Sequence, residues 1–574
     1  MPAPSFRNDE YGSGSAAAIL VKKDLMIDTH SSILTALSPL DGRYRADVAA
    51  LADYFSETAL FRYRVRVEIE YLIMLSRVRG IGFIAPIDAM AAATLRTLYQ
   101  DFSVADAVAV AEWDRSVRHD VKAVEYWLRE RMTALGFTPW LEAIHFALTS
   151  EDVNNLAYAL LVREARDSCL LPAAAQIAGA LQQLALAEAA TPMLARTHGQ
   201  PATPTTFGKE IAVYVGRLQR AIEKLARIRI TGKLTGATGT FAAHVAALPH
   251  IDWLAFSRAF VGSLDLEPVL LTTQIEPHDT IAEVCDGFKR LNTVLIDLCQ
   301  DLWRYVSDGY LVQAVMAGEV GSSTMPHKVN PIDFENAEGN LGIATALFEH
   351  FSRKLPISRL QRDLTDSTVL RNLGVACGHT LLALRRIDKG LGRVALDHER
   401  LRADLQAHPE VLAEAIQTIL RRIGYPEPYE VMKQLTRGRA LTLADLHAFI
   451  ETLDVPAEVR SELLALSPEA YLGKAVALAQ LAGKPSQRGA GDVLPLCRMG
   501  SVRQPTRRTE TLDIAAPTIA LEPELLVSTV TVAVGHGPPE GGCDGIVGRG
   551  GYFPMARQLI KEQHSSPAAD RLAS

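Results

Sequence analysis

The feature that most constrains the fold of this sequence is a long stretch in which apolar residues recur every three or four positions. Its apolar positions are Ile281, Cys285, Phe288, Leu291, Leu295, Leu298, Leu302 and Val306. A helix with this spacing buries one stripe of side chains, and about 30 residues of helix span roughly 45 Å. Because that length exceeds what one compact domain needs, we expect the helix to pack on equivalent helices of partner subunits.

Helical spacing also dominates the chain before this stretch. A second stripe consists of Phe207, Ile211, Val215, Leu218, Ile222, Leu225 and Ile228. Roughly residues 55–135 and 153–188 show helical patterns as well, and the second of these segments is expected to bend at Pro172. The sequence therefore predicts long helices separated by short polar breaks.

Composition excludes several classes of protein. The chain has 574 residues, enough for two to four domains, and its net charge of −7 argues against a nucleic-acid binder held by its overall field. Its six cysteines show no C-x-x-C spacing, which predicts free thiols in a reducing compartment. We see no apolar run of membrane-spanning length and no signal-peptide pattern, and therefore expect a cytoplasmic protein without a membrane, metal or nucleic-acid partner.

One polar break, Gly321–Pro331, combines small, hydroxyl, proline and basic residues. A helix start follows it, with Asn330 as predicted N-cap, Pro331 at the first helical position and Asp333 at the third. The N–H groups of a helix start favour an anion, and Lys328 adds a positive charge. The loop is therefore interpreted as an anion site with a hydroxyl held over it.

The string G-S-S-T-M-P-H-K-V-N-P at residues 321–331 resembles the signature of the fumarase/aspartase superfamily. Its continuation through Ile332–Asn336 resembles the bacterial adenylosuccinate lyase family in particular. The resemblance implies an all-α, three-domain fold with a central bundle of long helices. It also implies a homotetramer, with active sites shared between subunits, and a carbon-nitrogen lyase reaction without a cofactor.

The same resemblance assigns the catalytic residues. It implies that Ser323 is the base and that His198, in the segment T-H-G-Q-P-A-T-P, is the acid. Lys328 and Asn330 would hold the substrate carboxylate, and Glu335 is expected to orient His198 or another histidine. A serine hydroxyl is a poor base in water, so this role requires that loop closure surround it with backbone N–H groups and the charge of Lys328.

Further polar segments match the family's substrate-binding elements. The residues implied to bind the nucleotide substrate are Arg43, Tyr44, Arg118, His119, Asp120, Thr149, Ser150, Gln274, Arg362, Ser367, Thr368, Val369, Leu370 and Arg371, with His145 placed near the phosphate. Many bacterial members carry Asn where this chain has Arg118. From the residues alone, capping is a sufficient reason for Thr149 and Ser150, and a salt-bridged helix surface for Arg362 and Arg371.

The function implied is β-elimination of fumarate from adenylosuccinate, giving AMP, and from SAICAR, giving AICAR, in purine biosynthesis. The alternatives are another fumarate-releasing lyase, such as argininosuccinate lyase or fumarase, and a non-catalytic scaffold of the same fold. A Ser-His-Asp hydrolase is disfavoured because Ser323 lies in no G-x-S-x-G element.

The expected organisation is a loose arm at 1–30, an N-terminal helical domain at 31–139 and a central bundle domain at 140–392. A C-terminal helical domain follows at 393–483. Residues 484–574 lie outside the family match and are predicted to be a disordered tail, in which Val527–Val532 is an isolated strand candidate.

Overall fold

The computed structural model describes residues 33–315, 318, 321, 323–437 and 441–483. The predictions for the arm at 1–30, for the tail at 484–574 and for the strand candidate Val527–Val532 lie outside the described residues.

Helices account for most of the described chain, which confirms the all-α prediction. Those before residue 140 are α1 (Arg45–Val48), α2 (Ala52–Phe55), α3 (Glu57–Leu75), α4 (Ala89–Gln100), α5 (Val104–Val117) and α6 (Asp120–Ala134). The next are α7 (Ser150–Ala165), α8 (Leu171–Ala187), α9 (Phe207–Arg227), α10 (Ala242–Ala247), α11 (Trp253–Ser263), α12 (Asp279–Ser307), α13 (Ile332–Lys354), α14 (Thr365–Leu370) and α15 (Leu373–Leu391). The last are α16 (His398–Gln406), α17 (Ala413–Arg422), α18 (Pro428–Thr436), α19 (Leu443–Glu451), α20 (Ala457–Leu464) and α21 (Ala475–Gln480).

Short strands pair at the ends of the helices. They are β1 (Pro192–Thr197), β2 (Gln200–Thr206), β3 (Thr231–Gly232), β4 (Glu267–Pro268), β5 (Leu311–Gln313) and β6 (Val394–Leu396). Strands β1 and β2 form an antiparallel hairpin. Strands β5 and β6 also pair in antiparallel fashion, with three helices between them in the chain, whereas β3 and β4 are parallel.

The centre of the molecule is a bundle in which α12 packs against α13 and α9, α13 against α15, and α8 against α9. Helix α12 has 29 residues, so it is about 44 Å long, as its periodicity predicts. Its predicted stripe from Ile281 to Leu302 is buried, and Val306 is half-buried. This stripe packs inside its own chain, and the packing on partner subunits remains a prediction.

The helix has an irregular turn close to Pro172, where a bend is predicted. Helices α7 and α8 run on through one wide π-helical turn at Arg166–Leu170, immediately before the proline. Proline has no N–H and clashes with the carbonyl four residues earlier, and a wider turn relieves both problems. Arg166 also donates through Nη1 to the carbonyl of Ile228 at 2.7 Å, which ties the turn to the end of α9.

The apolar side chains form one large core and a smaller one. The large core runs without a break through helices of both the predicted N-terminal and central domains. A separate core, within the predicted C-terminal domain, consists of Leu412, Ile416, Leu420, Met432, Leu446, Ile450, Leu453, Val455 and Leu463. The domain boundaries themselves stay predictions.

One helical stretch of the described chain, Ser150–Ala187, is long and apolar enough to cross a membrane by length and composition. The expectation that no apolar run reaches this length was therefore wrong. Most residues of α7, its first half, are buried within this chain, including the charged Glu151 and Asp152. Burial inside the bundle accounts for the apolar character of α7, whereas only 39% of the most apolar window of the whole stretch is buried.

Candidate active site

The signature loop joins β5 to α13 and is closed at its base by two amide side chains. Asn330 donates to the carbonyl of Gly321 at 2.8 Å, and Gln313 donates to the carbonyl of Val329 at 2.9 Å. A Cβ at Gly321 would lie 2.0 Å from the carbonyl oxygen of Lys328, so only glycine fits there. Beyond this closed base, Ser323 and Lys328 are exposed to solvent.

The predicted helix start after this loop was wrong by one residue. Helix α13 begins at Ile332 with Pro331 as its N-cap, and no side chain caps it. Asn330 cannot serve as the N-cap because its amide closes the loop instead.

Asp333 is buried among three basic side chains, 3.6 Å from Lys389, 3.7 Å from Arg393 and 3.9 Å from Arg386. The base of the loop is therefore electropositive. Glu335, expected to orient a histidine, instead accepts a hydrogen bond from Trp303 Nε1 at 3.0 Å within this chain.

His198 lies at the tip of the β1–β2 hairpin, which sequence analysis treated only as a polar break. Thr197 pairs with Gln200, so His198 and Gly199 are the two turn residues, and both have positive φ, 53° and 73°. A two-residue turn of type I′ requires this conformation at both positions. The His198 side chain at this turn is exposed to solvent.

The two-arginine segment joins a network of charges that extends across three helices. Arg362 pairs with Glu151 at 2.9 Å and donates to Gln274 Oε1 at 3.4 Å. Arg371 pairs with Asp120 at 2.9 Å and with Glu57 at 2.7 Å.

Two side chains connect these pairs, the half-buried Asn154 and the buried Arg64. Asn154 donates to Glu151 at 2.9 Å, and Arg64 contacts both Asn154, at 2.8 Å, and Asp120, at 2.7 Å. Burial by itself raises the pKa of Asp120, but Arg64 and Arg371 outweigh it and hold this pKa below its usual value. The structure thus brings together Gln274, Arg362, Asp120 and Arg371, four of the predicted nucleotide-binding residues, within one chain.

Helix α14 carries the predicted residues Ser367 to Leu370, which differ in exposure. Ser367 is half-buried and Thr368 is exposed, whereas Val369 and Leu370 are buried in the core. The side chains of Val369 and Leu370 therefore face the protein, and contact with a ligand at these two positions is limited to their backbone.

A cavity beside this network is lined by Val117, His119, Val121, Lys122, Glu125, Tyr126, His145 and Ser150. His119 is the N-cap of α6, where its Nδ1 accepts the backbone N–H of Lys122 at 3.2 Å. Thr149 is the N-cap of α7, and its backbone N–H donates a hydrogen bond to Asp152 Oδ2 at 2.9 Å. The capping role is confirmed for Thr149, whereas Ser150 is the first residue of the helix and lines the cavity.

Asp152 is held by a fully buried lysine. Lys233 Nζ lies 3.1 Å from Asp152 Oδ1, and neither side chain has any exposure. Asp152 also accepts the backbone N–H groups of Thr235 and Gly236, at 3.0 and 3.2 Å. This buried group fixes the start of α7 against the glycine-rich turn that follows β3.

Tyr44 lies against α13, the helix that follows the signature loop. Its hydroxyl accepts from Asn336 Nδ2 at 3.1 Å, and the guanidinium of Arg386 lies 5.7 Å from the centre of its ring. Arg43 is exposed beside it.

Arg118 is also exposed and takes the left-handed conformation, φ 54°, as the C-cap of α5. Asn adopts this conformation more readily than Arg, which gives a backbone reason for the Asn of other family members.

Sequence analysis missed several residues that organise this site. They include Glu57, the first residue of α3, and Arg64 and Glu68 in the middle of that helix. None of the three lies in a recognisable motif, and only their contacts with other helices identify them. Lys122 and Glu125 follow the predicted residues His119 and Asp120 on the same helix, where a spacing of three allows the ion pair found at 2.7 Å.

Two family models match the chain in succession. The first, described as "Lyase", matches residues 42–345, and the second, "Adenylosuccinate lyase C-terminal", matches residues 358–472. The two matches leave out residues 346–357, which include the last turns of α13, and the second extends past the smaller core.

Curated relatives match over nearly their whole length. Adenylosuccinate lyase of Dictyostelium discoideum is 49% identical over 453 residues, 77% of this chain and 97% of that protein. The Haemophilus influenzae enzyme is 48% identical over 450 residues, 78% of this chain and 99% of its own. The Escherichia coli K12 enzyme is 46% identical over 451 residues, 78% of this chain and 98% of its own.

Solved structures show the same fold at low identity. A 3-carboxy-cis,cis-muconate lactonizing enzyme from Pseudomonas putida aligns with a TM-score of 0.62 at 21% identity, covering 76% of this chain and 97% of its own. A fumarate lyase from Mesorhizobium sp. BNC1 aligns with the same TM-score at 19% identity and the same coverage.

Proposed function

This chain belongs to the adenylosuccinate lyase family, and we propose that it cleaves adenylosuccinate into AMP and fumarate, and SAICAR into AICAR and fumarate. The observation that carries the proposal is the similarity to curated adenylosuccinate lyases over nearly their full length. This similarity favours the activity over those of argininosuccinate lyase and fumarase, since the three relatives described above are all adenylosuccinate lyases and the C-terminal family model carries the same name.

The charge network supports a nucleotide substrate. Arg362 and Arg371 are each held by carboxylates, Glu151 for the first and Glu57 with Asp120 for the second. A guanidinium that is already oriented loses less entropy when it binds a phosphate or carboxylate. Gln274, bonded to Arg362, adds an uncharged amide that suits a base or ribose.

The proposed reaction moves two protons and breaks a C–H bond and a C–N bond of the substrate. Ser323, deprotonated, removes a proton from the carbon beside a succinyl carboxylate, and the resulting aci-carboxylate carries the extra negative charge. The C–N bond then breaks as fumarate forms, and His198 gives its proton to the departing nitrogen. Lys328 would stabilise the developing charge beside Ser323. These roles rest on the family motifs, and the exposure of Ser323 and Lys328 is consistent with a loop that closes over substrate.

The proposal includes a homotetramer with shared active sites. His198 stands at a hairpin tip and Ser323 on a separate loop, both exposed in a single chain. Large apolar side chains on three bundle helices are exposed as well, among them Val213, Trp303 and Ile343. Association through α9, α12 and α13 would cover these side chains and bring segments of different chains together.

The test is an ultraviolet assay with purified protein and adenylosuccinate, compared with Ser323→Ala and His198→Ala. We expect turnover by the wild type and loss of at least about a thousandfold in each variant. Mixing the two inactive variants after dissociation should restore part of the activity, because some mixed sites regain both groups. Absence of wild-type turnover, or full activity in both variants, would contradict the proposal.

We also propose a cytoplasmic location. Cys169, Cys285, Cys299 and Cys377 are free thiols, as expected in a reducing compartment. Expression of a tagged chain followed by cell fractionation tests this location directly.

A further inference from the structure

Helix α3 holds the segment before α7 in an unusual conformation. His145 and Ala147 both have positive φ, 56° and 57°. Two side chains of α3 fix the backbone between them. Glu68 Oε2 accepts the N–H of His145 at 3.2 Å, and the Tyr71 hydroxyl donates to the carbonyl of Phe146 at 2.9 Å. A conformation that non-glycine residues rarely adopt is maintained only when its surroundings determine it, and such positions concentrate at functional sites.

The second oxygen of Glu68 is bound to the ring of the same histidine. Its Oε1 lies 2.6 Å from His145 Nδ1, and the Glu68 side chain is only 1% exposed. In the described part of the chain, the hydrogen bonds of the Glu68 carboxylate all go to His145. A buried carboxylate needs a compensating charge, and the imidazolium form of His145 supplies it.

The groups around His145 favour its charged form. Burial by itself lowers the pKa of His145, but Glu68 on α3, Glu125 on α6 and Asp152 on α7 outweigh it and raise this pKa above its ordinary value. The other charged or titratable groups lining the cavity are His119, Lys122 and Tyr126, and Lys122 is paired with Glu125 at 2.7 Å.

The cavity is suited to an anion. His145 lines it together with Ser150, the first residue of the 16-residue helix α7. The acidic residues of that helix start face elsewhere: Glu151 pairs with Arg362, and Asp152 with Lys233. With Nδ1 occupied by Glu68, Nε2 is the ring nitrogen of His145 that can donate to a ligand.

We propose that Glu68 is a positioning residue that keeps His145 charged and oriented, so that His145 Nε2–H donates to the phosphate of the nucleotide substrate. The inference rests on the proposed function, because it takes a nucleotide as the ligand. Glu68 itself contacts no substrate and acts through His145. A charged donor held in one orientation discriminates a nucleotide from its nucleoside, since only the nucleotide carries the phosphate.

The experiment is calorimetric titration of the full chain with AMP and with adenosine between pH 7 and 9. The variants are Glu68→Gln, which keeps the shape but not the charge, and Glu70→Gln. Glu70 lies on the same helix and is paired with Arg96 at 2.7 Å, outside the cavity, so it is the matched control. A third variant, His145→Gln, removes the ring through which Glu68 is proposed to act.

We expect Glu68→Gln to weaken AMP binding roughly tenfold to a hundredfold and to leave adenosine binding unchanged. Wild-type affinity for AMP should fall as the pH rises through the raised pKa of His145, because the charged donor is lost. In Glu68→Gln this fall should move to lower pH. Glu70→Gln should behave as wild type, and Glu68→Gln should have no further effect in the His145→Gln background.

Equal loss of AMP and adenosine binding in Glu68→Gln, or an unmoved pH profile, would overturn the inference in favour of a structural role. A defect confined to the succinyl substrate, with AMP unaffected, would assign His145 to a carboxylate and overturn the phosphate assignment. If Glu68→Gln does not fold, His145→Gln must lose AMP affinity selectively and lose the pH dependence. Failure of the wild type to bind AMP would instead contradict the proposed function itself.

Discussion

The side-chain amide of Asn330 donates a hydrogen bond of 2.8 Å to the carbonyl of Gly321 and so closes the base of the signature loop. This contact gives Asn330, which follows Lys328 and Val329, a structural role other than capping the next helix. A closed base restricts the path of the loop between these two residues, and Ser323 lies on that path. The position of the proposed base therefore depends on an amide seven residues further along the chain.

Replacement of this amide tests that dependence. We expect Asn330→Asp, which has the same size but cannot donate, to lower kcat about tenfold or more, because the loop loses its closure. The melting temperature should change little, since the bond is exposed. Gln176→Glu, an equivalent change at an exposed amide on α8, is the control and should retain wild-type kcat. Unchanged kcat in Asn330→Asp would show that the contact is dispensable.

The buried pair of Lys233 and Asp152 is expected to contribute strongly to stability. Lys233→Met leaves a fully buried carboxylate without its counter-charge, and we expect a loss of about 3 kcal/mol in the free energy of unfolding. Urea denaturation followed by circular dichroism measures it. Lys224→Met, at an exposed lysine of α9, should change stability by less than about 0.5 kcal/mol. The double variant Lys233→Met/Asp152→Asn should recover part of the loss, and the absence of any recovery would contradict an electrostatic cause.

The left-handed conformation of Arg118 predicts a stabilising substitution. We expect Arg118→Asn to raise the free energy of unfolding by about 0.5–1 kcal/mol, because Asn adopts positive φ at a helix C-cap at lower cost. Arg115→Asn, three residues earlier inside α5, should have the opposite sign, since Asn is a poorer helix former than Arg. Thermal denaturation of the two variants beside the wild type distinguishes them. A lower melting temperature in Arg118→Asn would assign the arginine a stabilising contact of its own.

The lowered pKa of Asp120 predicts a pH-dependent contribution to stability. Because this pKa is lower in the folded state, the contribution is fully present above the unfolded value of about 4 and is lost as the pH falls through the folded value. We expect Asp120→Asn to be less stable than wild type by about 2 kcal/mol at pH 7. That difference should narrow in acid below pH 4, as followed by melting temperature. Asp454→Asn, at an exposed position, should show no such convergence.

Much of the fold could be predicted from local patterns. The stripe from Ile281 to Leu302 predicted both the length and the buried face of α12, because a helix repeats every 3.6 residues whatever surrounds it. The hairpin that carries His198 could not be predicted in this way. Its strands contain three prolines, Pro192, Pro201 and Pro204, and its turn depends on a histidine adopting positive φ, which non-glycine residues seldom do.

The sequence by itself determined the family, the helical architecture and the identity of the polar segments, since each of these is a property of neighbouring residues. Only the tertiary structure decided which of those segments meet. The pairing of Glu68 with His145, of Lys233 with Asp152 and of Arg371 with Asp120 joins residues of different helices or loops. Such pairs depend on how helices cross and on which side chains lose their water together, and neither is encoded in a local pattern.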